Sequence, residues 1–476
     1  MNISVLTARI IAGFVLLLPT ACMVGPDYVK PTPVTNMPTT YKEQQGWKVA
    51  QPQDGPLTDR WWERYHDPVL NTLVEQVEIS NLNVAAAEAQ FRQARAVVQA
   101  ARAGYFPTLS AGAAATRLRT SDNLGAGGRT GNTVTNFQLP VDATWELDIW
   151  GKIRRGVESS QASAQASAAD LAAATLSAQA ALTGDYFQLR IVDAQKQLLD
   201  ATVAVYRKSL DMTNNRYAVG IVAKTDVLQA ETQLKSTEAQ AIDLGVQRAQ
   251  LEHAIALLIG KPPVDFSLPA ATVTLEIPPI ALELPSKLLE RRPDIASAER
   301  KMAAANAQIG VAEAAWYPKL QLSASGGFSA SSLATLFDWP SRVWSVGPAV
   351  SAALFDGGLR SAQTDQARAT YDTTVAIYRE SVLTAFQGVE DNLAALRILE
   401  EETHVQDQAV QAARQVVTIT TNQYQAGTVA YISVLVFQAV ALSNERTALD
   451  ILGRRLAASV SLVKAVGGGW HSQEPR

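Results

Sequence analysis

The stretch Asn136-Phe137-Gln138-Leu139-Pro140-Val141-Asp142-Ala143-Thr144-Trp145-Glu146-Leu147-Asp148-Ile149 alternates polar and apolar residues almost without a break. A period of two sends Phe137, Leu139, Val141, Ala143, Trp145, Leu147 and Ile149 to one face, and Asn136, Gln138, Asp142, Thr144, Glu146 and Asp148 to the other. Leu320, Leu322, Ala324 and Phe328 repeat the pattern against Lys319, Gln321, Ser323, Ser325 and Ser329. Trp344, Val346, Val350, Ala352 and Leu354 mark a fourth strand, and residues 108–118 a weaker first one. Gly-rich loops near 125–131 and 329–341 separate the members of each pair. Strands of about ten residues with one apolar face suit a transmembrane barrel. A half-buried sheet in a soluble sandwich gives the same alternation. Tyr105, Phe106, Trp150, Trp316, Tyr317 and Phe355 sit at the strand–helix junctions, where a barrel would gather them into an interfacial girdle. Pro140 and Pro348 remove ladder donors at comparable positions, and a bulge shared by both is expected. Four strands cannot close a membrane barrel, and open edges in lipid are prohibitively costly. If the strands lie in a membrane, several copies must share one wall.

The chain duplicates itself at a spacing of about 206–211 residues. Ala103-Gly-Tyr-Phe-Pro107 returns as Ala314-Ala-Trp-Tyr-Pro318. Leu147-Asp-Ile-Trp-Gly151 returns as Ala353-Leu-Phe-Asp-Gly357, and Arg216-Tyr-Ala-Val-Gly220 as Gln423-Tyr-Gln-Ala-Gly427. Between the second and third pairs run about 60 proline-free residues, enough for roughly 90 Å of helix. Returning helices are expected over Thr225–Ile259 and Tyr431–Val466, making two antiparallel hairpins. The organisation read from this is a signal peptide over 1–21, an anchored segment over 22–60, and a first repeat over 61–260. A Pro-rich linker over 261–291, a second repeat over 292–466 and a tail over 467–476 complete it.

Composition excludes several classes. The net charge of −4 gives nucleic acid no electrostatic purchase. His66, His253, His404 and His471 lack metal-ligand spacing, and no Walker, G-x-S-x-G or G-x-G-x-x-G motif occurs, so no enzyme, metal or cofactor is indicated. Cys22, the single cysteine, rules out an intrachain disulfide. Arg9, the apolar run Ile10–Leu18, then Pro19, Thr20 and Ala21 read as a secretory signal ending at Cys22. Cleavage there would leave the thiol free to take acyl (palmitate) chains. The apolar run is too short for a permanent membrane helix.

Gly25-Pro-Asp-Tyr28, Trp61-Trp62, Asp67-Pro68, Ser286-Lys-Leu-Leu-Glu-Arg-Arg-Pro-Asp-Ile295, the two Tyr-x-x-Gly turns and Lys464-Ala-Val-Gly-Gly-Gly-Trp470 occur in one order. In these motifs the chain resembles the outer-membrane factor family of tripartite efflux pumps, the TolC-like channels, and their lipoprotein branch. The resemblance implies a mostly helical homotrimer in which each subunit gives four transmembrane strands and long periplasmic hairpins in two tandem repeats. Twelve strands would form the barrel and twelve helices the periplasmic tunnel. It further implies a lipid anchor at Cys22, a periplasmic adaptor, an inner-membrane transporter, and passive exit of small molecules through the duct. Arg216, Tyr217, Gly220, Gln423 and Gly427 would meet the adaptor; Thr225, Asp226, Tyr424 and Ser433 would form the gate. Acids that family members often carry stand here as Ser433 and Val436, which leaves Asp226 as the carboxylate at the mouth. Plainer roles compete: Asp226 as a first-turn acid, the glycines as turn formers, Pro293 as a helix starter, and Trp61-Trp62 as an anchor for the N-terminal segment. Ducts for protein secretion, or a helical scaffold without a barrel, are the alternative functions.

Overall fold

The computed structural model describes residues 23–33, 40–43, 60–121, 133–271, 277–278 and 291–470. Cys22, the signal segment, the 125–131 loop and most of the Pro-rich linker lie outside them. The chain divides into two compact units. The first holds residues up to Pro31, Phe91–Ala166 and Ala298–Tyr378; the second holds Thr32–Gln90, Ser167–Ser297 and Arg379–Arg476.

The elements run α1 (Pro68–Ser80), α2 (Leu82–Ala103), β1 (Thr108–Ala111), β2 (Ala114–Arg119), β3 (Thr133–Leu147), α3 (Lys152–Ala218) and α4 (Lys224–Leu258). After the linker come α5 (Pro293–Ala314), β4 (Lys319–Ala330), β5 (Arg342–Ser351), α6 (Leu359–Gln425) and α7 (Tyr431–Ala465). α3 and α6 each have 67 residues, and α4 and α7 each have 35. The duplication therefore holds residue for residue along both hairpins.

In the first unit β1 and β2 share one lane against β3, followed by β4 and β5, all antiparallel. Four lanes are present, but the first is two strands rather than one. The registers Ala111↔Val141 and Ala114↔Gln138 belong to one continuous alignment, which sets Gly112 opposite Pro140. Gly112 N donates to the Pro140 carbonyl at 2.9 Å. Proline has no N–H to return, so the ladder breaks there. The expected bulge is thus absent: the β3–β4 and β4–β5 registers also pass Pro140 and Pro348 without a slip. On the other side of Pro140 the chains nearly touch, since a Cβ on Gly327 would lie 2.1 Å from the Leu139 carbonyl oxygen. Only glycine fits there.

Register carries the alternation across the whole sheet. Leu109, Ala143, Ala324 and Val346 follow one another on one face, as do Trp145, Leu322 and Pro348; Ser110, Asp142, Ser325 and Ser345 do so on the other. On the polar face Ser329 Oγ is 3.0 Å from Asn136 Oδ1. At the helix-side rim Trp150 stacks on Tyr317 at 4.7 Å, and its indole donates to the Pro318 carbonyl at 2.8 Å. Trp145 donates to the Tyr105 carbonyl and Trp316 to Thr364. Phe106 and Phe355 are exposed. The opposite rim carries a second aromatic set, Phe337, Trp339 and Trp344, each at least 70% exposed.

In the second unit Trp61, Trp62, Tyr65, Leu70, Tyr186 and Phe187 are all buried. Trp61 and Trp62 meet edge to face at 5.9 Å, and Tyr65 meets Phe187 at 4.8 Å. Asp67 caps α1 through the Val69 and Leu70 amides, with Pro68 at the first helical position. Its other oxygen accepts from Tyr186 at 2.5 Å. α5 begins at Pro293, and Arg292 donates to the Ala465 carbonyl at the end of α7. The Arg-Arg-Pro-Asp motif is therefore a joint within the fold. Among the described residues no helix is long and apolar enough to cross a membrane.

Candidate functional site

Both hairpins turn by the same device. Gly220 N donates to the Tyr217 carbonyl and Ile221 N to that of Arg216, each at 2.9 Å; Gly427 N donates to Tyr424 and Thr428 N to Gln423, each at 3.0 Å. This is the Schellman closure of a helix, with a left-handed residue just past its end. Gly220 and Gly427 both stand at φ +76°, where a Cβ costs about 1–2 kcal/mol. Each Tyr-x-x-Gly is thus a helix stop. α4 and α7 then start on Ala223 and Ala430, neither of which supplies a side-chain cap. Asp226 lies in the first turn of α4, where its charge complements the helix dipole. Ser433 holds the matching place in α7.

Around these turns the structure joins residues that the sequence assigned to separate roles. Arg216 of the first hairpin donates to the carbonyls of Tyr424 (3.0 Å) and Gln425 (3.2 Å) of the second. Its guanidinium also lies 4.7 Å from the Tyr424 ring centre. One side chain therefore caps the end of α6 and bolts the two hairpins together. Tyr424 is 3% exposed, packed against Tyr431 at 5.2 Å and against Ala230, Val434 and Leu435. Burial, and next the neighbouring Tyr424, push the Tyr431 hydroxyl up to about 12. The Tyr424 hydroxyl is buried without a hydrogen-bond partner among the described residues. Such a group typically costs about 1–3 kcal/mol.

The other candidates are looser. Tyr217 is exposed, with the Lys224 ammonium 5.3 Å from its ring centre. Thr225, Gln423, Gly220 and Gly427 are exposed; Asp226 and Ser433 are half-buried. Among the described residues no side-chain hydrogen bond ties Thr225 or Asp226 to Tyr424 or Ser433. The Arg216–Tyr424 clasp was missed by sequence reasoning, although one signal was present: Arg216 breaks the repeat, since its counterpart is Gln423.

A second set lies in the first unit. Arg155, 1% exposed, donates to the carbonyls of Val24 and Gly25 and to Asp27 and Glu158. Asn306 donates to the Pro26 carbonyl, Tyr28 to Glu299, and Val24 N to the Trp150 carbonyl. The Gly-Pro-Asp-Tyr motif is thus a strap held at the aromatic rim, and Cys22 precedes its first described residue.

The model of the family described as outer membrane efflux protein matches residues 73–261 and 284–468. The chain belongs to the outer membrane efflux protein family. Its relatives include the solvent efflux pump outer membrane protein SrpC of Pseudomonas putida, 32% identical over 96% of this chain and 97% of that protein. The pyoverdine export outer membrane protein OpmQ of Pseudomonas aeruginosa is 31% identical over 90% and 91%. Among solved structures the outer-membrane channel OprN superposes with a TM-score of 0.88 at 29% identity, covering 94% of this chain and all of that one. An efflux channel of the outer membrane with a TolC-like fold is what this chain forms, and members of this family are ducts rather than enzymes.

Proposed function

We propose that three copies of this chain build one outer-membrane duct, each giving four strand lanes to a shared barrel. The observation that carries this reading is the sheet itself: one face is apolar from lane to lane, the other is polar, and both outer edges lack partners among the described residues. In lipid those edges demand closure. Three copies reach twelve lanes, above the roughly eight that the smallest membrane barrels need. The two aromatic rims fit the two interfaces of a bilayer. A lipid anchor on Cys22 would add acyl chains that enter the inner leaflet of the outer membrane.

Each copy is read as two tandem repeats, 61–260 and 292–466, flanked by the anchored segment 22–60, the linker 261–291 and the tail 467–476. On this reading the hairpin ends are the periplasmic mouth. Arg216, Tyr217, Gly220, Gln423 and Gly427 face a periplasmic adaptor, and Thr225, Asp226, Tyr424 and Ser433 surround the gate. An inner-membrane transporter drives small molecules through the duct. Relatives are named for solvent efflux and for pyoverdine export, which supports small molecules as the cargo. Cross-linking of outer membranes followed by single-channel recording tests the assembly. A trimeric species that conducts ions is expected; a monomer that washes off the membrane would sink the proposal.

A further inference from the structure

Charge on the apolar face of the sheet has one sign and one place. The ladder sets Arg117 beside Thr135 and Arg119 beside Thr133 on the face that carries Phe137 and Leu139. Arg342 lies beside Phe328 on that same face. No other charged residue of the described strands is there; Asp142, Glu146 and Lys319 belong to the polar face. From Leu147 to Phe137 the apolar face runs eleven residues along β3, about what a tilted strand needs to cross the hydrocarbon. Arg117 and Arg119 follow directly beyond that band. On β5 the apolar series Val350, Pro348, Val346, Trp344 likewise ends at Arg342. All three arginines are exposed. Among the described residues neither Arg117 nor Arg342 is paired with a carboxylate. Arg342 donates from Nε to the Trp339 carbonyl at 3.2 Å and lies over the Trp339 ring.

We propose that Arg117 and Arg119 of one copy and Arg342 of the next form, at each seam of the duct, a binding site for the phosphate groups of an outer-leaflet lipid. This rests on the trimeric duct proposed above. The lane of β1 and β2 and the lane of β5 are the two outer edges of the sheet, and they run in opposite directions. Closing the barrel therefore sets β5 of one copy antiparallel beside β2 of the next, with the arginine ends at one rim. Cations gathered there repel one another unless an anion lies between them, and the face they occupy is turned to lipid. A guanidinium holds a phosphate through two parallel hydrogen bonds. Its apolar stem can lie along the band while its head reaches the interface. Trp339 and Trp344 add the amphipathic rings favoured at headgroup level. A phosphorylated lipid matches both halves of this surface, its headgroup the cationic end and its acyl chains the apolar band. A free anion matches only the first.

Native mass spectrometry of the full-length trimer in a mild non-ionic detergent tests this, with lipid A as the probe and dephosphorylated lipid A as its control. Wild type should keep up to three phosphorylated molecules, one per seam, and few of the dephosphorylated ones. Arg117→Gln, Arg119→Gln and Arg342→Gln should each lower retention severalfold while the trimer persists, and all three together should abolish it. Lys319→Gln, on the polar face, should change nothing. Equal retention of the two lipids by wild type would overturn the site, and that comparison stands even if a variant fails to assemble. Retention that survives the triple replacement would overturn it too, leaving the arginines hydrated by water alone. Release of lipid A by an equal concentration of inorganic phosphate would mark a free-anion site and overturn the lipid. Loss with Arg117→Gln and Arg119→Gln but not with Arg342→Gln would overturn the shared seam. Failure of the underlying duct shows differently: wild type would run as a monomer on cross-linking, with or without lipid.

Discussion

The two hairpins have the same helix lengths, the same Schellman turn and the same φ at the turning glycine, yet one row of residues after the turn is polar in the first and mostly apolar in the second. The first presents Thr225, Asp226, Gln229 and Gln233 after its turn; the second presents Ile432, Ser433, Val436 and Val440. The first lends an arginine to its neighbour, and the second has Gln423 in that place. Duplication preserved what holds a hairpin together and released what a hairpin touches. Function in this chain is to be sought where the copies differ.

The largest expected effects test where the copies should agree. Leu139 and Leu322 lie in different repeats but on the same apolar face. Arginine at either one should impair outer-membrane insertion, since a lipid-facing charge costs up to about 2–4 kcal/mol at the bilayer midplane and less towards its interfaces. Substituting Gln138 or Ser323 on the polar face should be mild. Equal tolerance on both faces would break the barrel assignment.

The clasp comes next. Arg216→Ala removes two charge-assisted hydrogen bonds, and a partly exposed pair of this kind contributes about 1–3 kcal/mol. Protease cleavage near the turns should speed up, whereas Gln423→Ala should leave it unchanged. Matching sensitivity would mean that the hairpins are held symmetrically and that the contrast drawn above is false.

Smaller still are the turn glycines. Gly220→Ala and Gly427→Ala should each cost about 1–2 kcal/mol, and nearly the same amount, since both turns have one geometry. Hydrogen exchange at the ends of α3 and α6 reads this directly.

These contrasts also separate what the sequence could reveal from what it could not. Leu139 and Leu322 were legible because a period of two is a local property that the ladder simply carries sideways. The turns were legible because Tyr-x-x-Gly recurs at one offset in a helical context. The break at Gly112 was not: Pro140 was visible, but whether its missing N–H causes a bulge or a gap depends on which neighbour it faces. The Arg216–Tyr424 clasp spans more than two hundred residues, and no local pattern encodes such a contact. Phe337 and Trp339 fell in a loop without periodicity and Trp344 stood only as a strand residue, so a second rim became evident only once β4 and β5 fixed which end of the sheet they occupy.

The central claim is that the hairpin ends are the mouth that meets a partner, and site-specific photo-cross-linking in cells tests it most directly. A photoreactive residue at Ala218 or Gln425, beside the two turns, should capture a periplasmic adaptor, identified by mass spectrometry. The same residue at Phe337 on the far rim of the sheet should not. Capture of the adaptor from Phe337 alone, or of nothing but further copies of this chain from Ala218 and Gln425, would contradict the account.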